Sequence, residues 1–153
     1  MSDYRVEKRP QAVRLLLADG AVLEGELFVA PFSPAHSGPQ EVPELVEEAG
    51  AALPFRRSDG SFVLVGTAAV AAVGLRASSE EALLLVRLPA RARLVGGHQV
   101  DGRLLGEEGA GRRASDFLNA PGRWIRMASA DGLYWVAKTH LLVLEPRDAP
   151  ARA

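Results

Sequence analysis

Apolar positions along this chain follow two periods, and the switching between them sets the first expectation of its fold. VRLLLADGAVLEGELFVA (13–30) reads as two strands joined at Asp19-Gly20, a pair favoured in the two-residue hairpin turn whose backbone needs positive φ. The period then lengthens. Val42, Leu45, Val46 and Ala49 stand at i, i+3, i+4 and i+7, which is one face of a helix. Pro43 suits the first turn of that helix, and Gly50 suits the position just past its end. A second hairpin turns at Asp59-Gly60, and a closing strand covers 68–75. FVLV (62–65) is apolar without alternation, which predicts a strand covered on both faces.

The same succession returns later in the chain, and internal repeats decide the fold before any single motif does. At a fixed offset of 72, residues 42–73 lie over 114–145 without a gap, pairing Leu45 with Phe117, Leu53 with Ile125, Phe55 with Met127 and Phe62 with Tyr134. Asp59-Gly60 meets Asp131-Gly132, and YWVA (134–137) is the counterpart of FVLV. Ala114, Phe117, Leu118 and Pro121 repeat the helical spacing. Upstream the offset is 77, with ADGAVLEGEL (18–27) over VGGHQVDGRL (95–104); the extra residues of the first copy fall in FVAPFSPAHSGPQ, rich in Pro, Ser and Gly as a surface loop is. EALLLVRL (81–88) reads as one more strand, or as the start of a long one interrupted at Pro89. The expected organisation is an N-terminal arm (1–10), a first repeat (11–75), a connector strand (76–87), a second repeat (88–146) and a flexible tail (147–153). The expected fold class is mainly β: two duplicated small β-barrel-like units, each with about five short strands and one short helix.

Composition narrows the function classes. The chain has 153 residues, 48% hydrophobic and 24% charged, enough for one ordinary domain or two very small modules. It contains no cysteine, which excludes disulfides, iron–sulfur clusters and thiolate zinc sites and fits a reducing cytoplasm, the expected location. No apolar run approaches the roughly 20 residues of a membrane-spanning helix, and the charged start MSDYRVEKRP has no signal-peptide core, so no membrane is expected. Net charge is only −1, but it is unevenly spread. Residues 1–75 carry 6 Lys and Arg against 10 Asp and Glu, and residues 76–153 carry 12 against 9. Such asymmetry supports head-to-tail association or a basic binding face.

Candidate chemistry concentrates in RRASDFLNAPGRWI (112–125). Each polar residue there has a structural task open to it: Ser115 as a helix cap, Asp116 in a first turn that favours negative charge, and Asn119 beside the helix end. Arg113, Asp116 and Asn119 correspond to Glu41, Glu44 and Glu47, so a site built from them exists once. Catalytic signatures are missing. His36, His98 and His140 are scattered, no G-x-S-x-G or H-E-x-x-H occurs, and GEEGAGRR (106–113) lacks the phosphate-loop order and carries two glutamates. Arg91, Arg93, Arg103, Arg112, Arg113, Arg123, Arg126 and Lys138 make the second repeat the basic one. Trp124, Tyr134 and Trp135 would give it a stacking surface, although core positions are expected for at least two of these three.

Five short bent strands and one small helix resemble the Sm-like or SH3-like small β-barrel. The second repeat, GGHQVDGRLL…SDFLN…KTHLLVLEP, is also similar to a bacterial family of small Sm-like domains of uncharacterised function. Its pattern is a glycine-centred hairpin, Arg-x-x-Asp-x-Leu-Asn, an apolar strand and a Lys-containing last strand. Arg113, Asp116, Leu118, Asn119 and Lys138 fall on that pattern, over residues 91–146. RNA-binding Sm proteins carry their Asp and Asn in a short loop after the second strand; here fourteen positions separate Gly102 from Asp116, and KTHLLVLE has no glycine-rich motif. The resemblance therefore implies a fold, not RNA binding. The expected function is a non-enzymatic protein-interaction or self-assembly module without metal or cofactor. Its partner is another protein or a second copy, and its binding surface is formed by Arg112, Arg113, Asp116, Asn119, Arg123 and Lys138. The alternative is nucleic-acid or nucleotide binding through the basic face of the second repeat.

Overall fold

The computed structural model describes residues 8–33, 38–76, 86–106 and 113–147. Its first half runs β1 (Arg9–Leu17), β2 (Val22–Val29), α1 (Val42–Ala49), β3 (Ala52–Arg57), β4 (Phe62–Gly66) and β5 (Val70–Leu75). The second half runs β6 (Val86–Leu94), β7 (Gln99–Gly106), α2 (Ala114–Asn119), β8 (Trp124–Ser129), β9 (Gly132–Ala137) and β10 (Leu141–Pro146). All strand pairs are antiparallel, and they form one sheet in the order β10-β6-β7-β8-β9-β5-β1-β2-β3-β4. The mainly β class stands. The finer expectation, two duplicated barrel-like units, is not shown: β5 and β9 join the halves into a single unclosed ten-stranded sheet. β6 also runs unbroken through Pro89, which lies just beyond the last β10 pair, Pro146 with Ala90. The rest of the expected connector strand lies outside the described residues.

Each half keeps the same spatial order, fifth-first-second-third-fourth, and its own apolar core. Leu15, Leu27, Leu53 and Phe55 are fully buried in the first, beneath Val42, Leu45 and Val46 of α1. Leu94, Leu104 and Met127 are buried in the second, with Phe117 of α2. The i, i+3, i+4 spacing thus marks the packed face of both helices. In each half a glycine lies where three strands meet: Gly25 pairs with Val13 and Arg57, and Gly102 with Ala90 and Ser129. A Cβ at either would come within 2.0 Å of the carbonyl oxygen of Arg56 or Ala128, so only glycine permits so close an approach.

Turn chemistry departs from the sequence expectation in an instructive way. The loops at residues 18–20 and 58–60 hold three residues, closed by Leu17 N–H to Ala21 O and Arg57 N–H to Ser61 O. In both, only the glycine takes positive φ (97° at Gly20, 90° at Gly60), while Asp19 and Asp59 accept the backbone N–H two residues on. The β8–β9 loop holds two residues, since Ser129 pairs directly with Gly132. One residue fewer in that turn shifts every later equivalence. Leu53 faces Val65 and Ile125 faces Val136, so beyond the hairpin the offset is 71, not 72. Val63, not Phe62, is then the counterpart of Tyr134, and Leu64 that of Trp135.

Candidate interaction surface

The line where the halves meet shows how this sheet edge is completed. β5 and β9 pair Ala72 with Val136, Val73 with Trp135, Gly74 with Tyr134 and Leu75 with Leu133. Side chains cross that line in both directions. Trp135 of β9 is buried in the first core, whereas Leu16, Ala71 and Ala72 of the first half are buried in the second. Tyr134 lies over Gly74, where a Cβ would stand 2.7 Å from its ring. A polar cluster seals one end: the Tyr134 hydroxyl donates to Asp131 Oδ2 (2.9 Å), and Arg14 Nη1 reaches the same oxygen at 3.1 Å. Burial, then the bond to Asp131, pushes the Tyr134 phenol up from its ordinary value. Burial acts upward on Asp131 as well, but bonds from Tyr134 and Ser129 outweigh it and hold the carboxyl below the usual range.

The two outer strands, β4 and β10, have no such neighbour among the described residues. Four of the six large apolar side chains exposed among the described residues lie on them: Phe62 at 60%, Leu64 at 72%, Leu142 at 63% and Val143 at 46%. Their counterparts at the offset of 71 are Leu133, Trp135, Ala71 and Ala72. Trp135 is 8% exposed, and both alanines are fully buried. The expectation that FVLV and YWVA are each covered on both faces therefore divides. Tyr134, Trp135, Val136 and Ala137 are all buried, while Phe62 and Leu64 are open. Both β5 and β10 also carry a register irregularity at the same place, skipping Ala71 against β1 and Leu142 against β6.

The residues singled out from sequence gather around α2, and several are occupied in holding the fold. Asp116 accepts the Arg113 N–H at 2.9 Å, as Glu44 accepts the Glu41 N–H in α1. Arg113, not Ser115, stands at the N-cap, because the helix begins at Ala114 and the carboxylate reaches back to it. Lys138 Nζ donates to Ala120 O at the helix end, just as the hydroxyl of its counterpart Thr67 donates to Gly50 O. Arg113 is exposed, and Asn119 is exposed at the last turn. Arg123 extends over Trp124 (5.9 Å) and approaches Glu47 of the first half at 3.9 Å. Arg112 lies outside the described residues. A cleft of about 660 Å³ opens between α2 and Glu41, floored by Trp124, Ile125 and Trp135, with Arg126 lying 4.9 Å over the Trp135 ring.

Several of these cations stand beside carboxylates. Arg91 pairs with Asp101 (2.6 Å), Arg93 approaches Glu145 (3.9 Å), and Arg113 and Arg123 each have a carboxylate within 4.0 Å. Of the three candidate stacking residues, Tyr134 and Trp135 are core and Trp124 is half-buried. His98 bonds Leu17 O through Nε2 at 2.8 Å, tying two hairpin turns together, and His36 lies outside the described residues. Among the described residues no group of three His, Asp or Glu is placed to hold a metal, and no helix is long and apolar enough to cross a membrane. Sequence reasoning allowed for docking at a sheet edge or a helix face but did not single out β4 or β10, and it read FVLV of β4 as covered. Compared with known proteins, the chain matches no family model, no curated protein and no solved structure.

Proposed function

We propose that this protein is a non-enzymatic interaction or self-assembly module that docks other polypeptide through the open edges of its sheet. One observation carries the reading: apolar side chains that the inner junction buries stand exposed at the equivalent positions of β4 and β10. An unpaired strand edge offers a row of N–H and C=O groups, and it is normally blunted by charge or proline unless it is used. Here β4 carries no charged residue, and β10 has Glu145 and Pro146 only at its far end. The repeated strand order supports the further reading of the chain as a tandem of Sm-like or SH3-like units. The polar residues Arg113, Asn119 and Arg123 would form a rim beside the apolar contact, not its centre.

The test is recovery of bound material by the tagged protein from its source lysate, with and without nuclease, beside the variants Leu64→Lys and Leu142→Lys. A protein, a second copy of this chain included, should be recovered equally with and without nuclease and lost from at least one edge variant. Recovery that vanishes with nuclease and is indifferent to both variants would overturn the reading in favour of the basic residues.

A further inference from the structure

We infer that molecules of this protein join head to tail, β4 of one pairing antiparallel with β10 of the next, in the geometry that β9 and β5 adopt within the chain. This rests on the edge-docking reading above and names its partner as a second copy.

The inner junction supplies the template. β9 is the fourth strand of its half and β5 the fifth of the other; β4 and β10 are the remaining fourth and fifth strands. Carried over at the offset of 71, the inner register becomes Val65 with Val143, Leu64 with Leu144, Val63 with Glu145 and Phe62 with Pro146. Leu64 would then enter the second core of the neighbour beside Leu144, as Trp135 enters the first core beside Val73. Leu142 and Val143 would enter the neighbour's first core beside Val63 and Val65, as Ala71 and Ala72 enter the second beside Tyr134 and Val136. At three of the four inner pairs the β5 residue is smaller than its β9 partner; at the outer pair two of the partners match in size, Val65 with Val143 and Leu64 with Leu144.

Two further features favour this pairing over its rivals. In the inner junction a cation on the first strand, Arg14, meets a carboxylate at the hairpin tip, Asp131. At the outer pair the same two positions hold Arg91 and Asp59, with the same signs. Tyr134 needs glycine across from it, and β10 offers Glu145 there. β9 is therefore committed to β5, while β4, with Val63 in place of Tyr134, leaves room for Glu145. Pairing of like edges, β4 with β4, would leave β10 uncovered.

The absence of cysteine makes a direct test clean. Leu64→Cys and Leu144→Cys are prepared separately and oxidised alone and as a mixture. Facing residues of an antiparallel pair lie within the Cα separation a disulfide accepts, about 4.4–6.8 Å. A 64–144 disulfide should form in the mixture at least about tenfold faster than either self-linked species, a ratio worth about 1.4 kcal/mol of placement. In parallel, sedimentation of the unaltered chain from roughly 1 µM to 1 mM spans the range of a weak contact. Its mass should climb above the 16.3 kDa monomer, and Leu64→Lys should return it to monomer with its circular dichroism unchanged. Disulfides of 64–64 or 144–144, or a monomer at every concentration, would overturn the inference. If the chain stays monomeric yet loses another bound protein on Leu64→Lys, the edge is an interaction site and only the partner named here is wrong. If Leu64→Lys changes nothing in either experiment, both readings fall.

Discussion

Inside this molecule one sheet edge is met by another, and at the two outer strands no described residue covers the same kind of edge. The chemistry of the two places differs less than their burial does. Trp135 and Leu64 occupy equivalent positions on the fourth strands, yet one is 8% exposed and the other 72%. What separates them is a neighbouring strand. Burial here is thus a property of the contact, not of the residue, and an apolar side chain on an edge strand is informative once its buried twin is known.

The sharpest way to break the comparison is to truncate the twins. Trp135→Ala should cost about 3–5 kcal/mol in denaturant unfolding, the usual cost of removing a large buried aromatic. Leu64→Ala in dilute protein should stay within about 0.5 kcal/mol of the parent, as exposed substitutions do. Equal costs would mean that Leu64 is already covered in the single chain. Next in size, Gly74→Leu should cost about 1–3 kcal/mol by forcing Tyr134 aside. Glu145→Leu, at the equivalent open position, should leave the unfolding midpoint unchanged. The helix caps should behave alike in both halves, Glu44→Ala and Asp116→Ala each lowering stability by about 1 kcal/mol. A much larger loss of binding than of stability in Asp116→Ala would assign it a role beyond capping.

The effect of Asp131→Asn is small too, since the Arg14 pair is largely exposed and such pairs contribute under about 1 kcal/mol. Its sign is definite. The folded carboxyl is held below its unfolded value, so its contribution is present above about pH 4 and is lost as pH falls through the folded pKa. Urea midpoints measured from pH 7 to pH 2 should therefore converge between parent and variant at the acid end. The Tyr134 phenol should also titrate closer to its ordinary value in the variant.

Much of this architecture was legible in local signals. The hairpins and both helices follow from Asp-Gly pairs and from i, i+3, i+4 spacing, and the two cores from the apolar positions those elements present. Two things were not legible, for different reasons. A turn of two residues in place of three slides the second hairpin by one position, and a gap-free alignment through Asp59-Gly60 and Asp131-Gly132 conceals it. The pairing of β5 with β9 joins strands about sixty residues apart, and nothing near Gly74 or Tyr134 announces it. For the same reason FVLV and YWVA are indistinguishable as strings, although only one of them is covered. Around α2, Asp116 and Lys138 stood out as candidate binding residues. Their partners, a backbone amide and a backbone carbonyl, place them in the scaffold.

The junction of β5 with β9 has one more consequence. Because both strands belong to a single chain, each presents itself to the other at an effective concentration set by the tether, on the order of millimolar for a short one. The proposed pairing of β4 with β10 between molecules would have no tether and would obey mass action. An assembly built from both would alternate permanent joints with reversible ones, and dilution would part it only at every second seam. With no symmetry axis relating the two edges, growth would end only if the rotation at each seam closed on itself, and otherwise would continue as a filament.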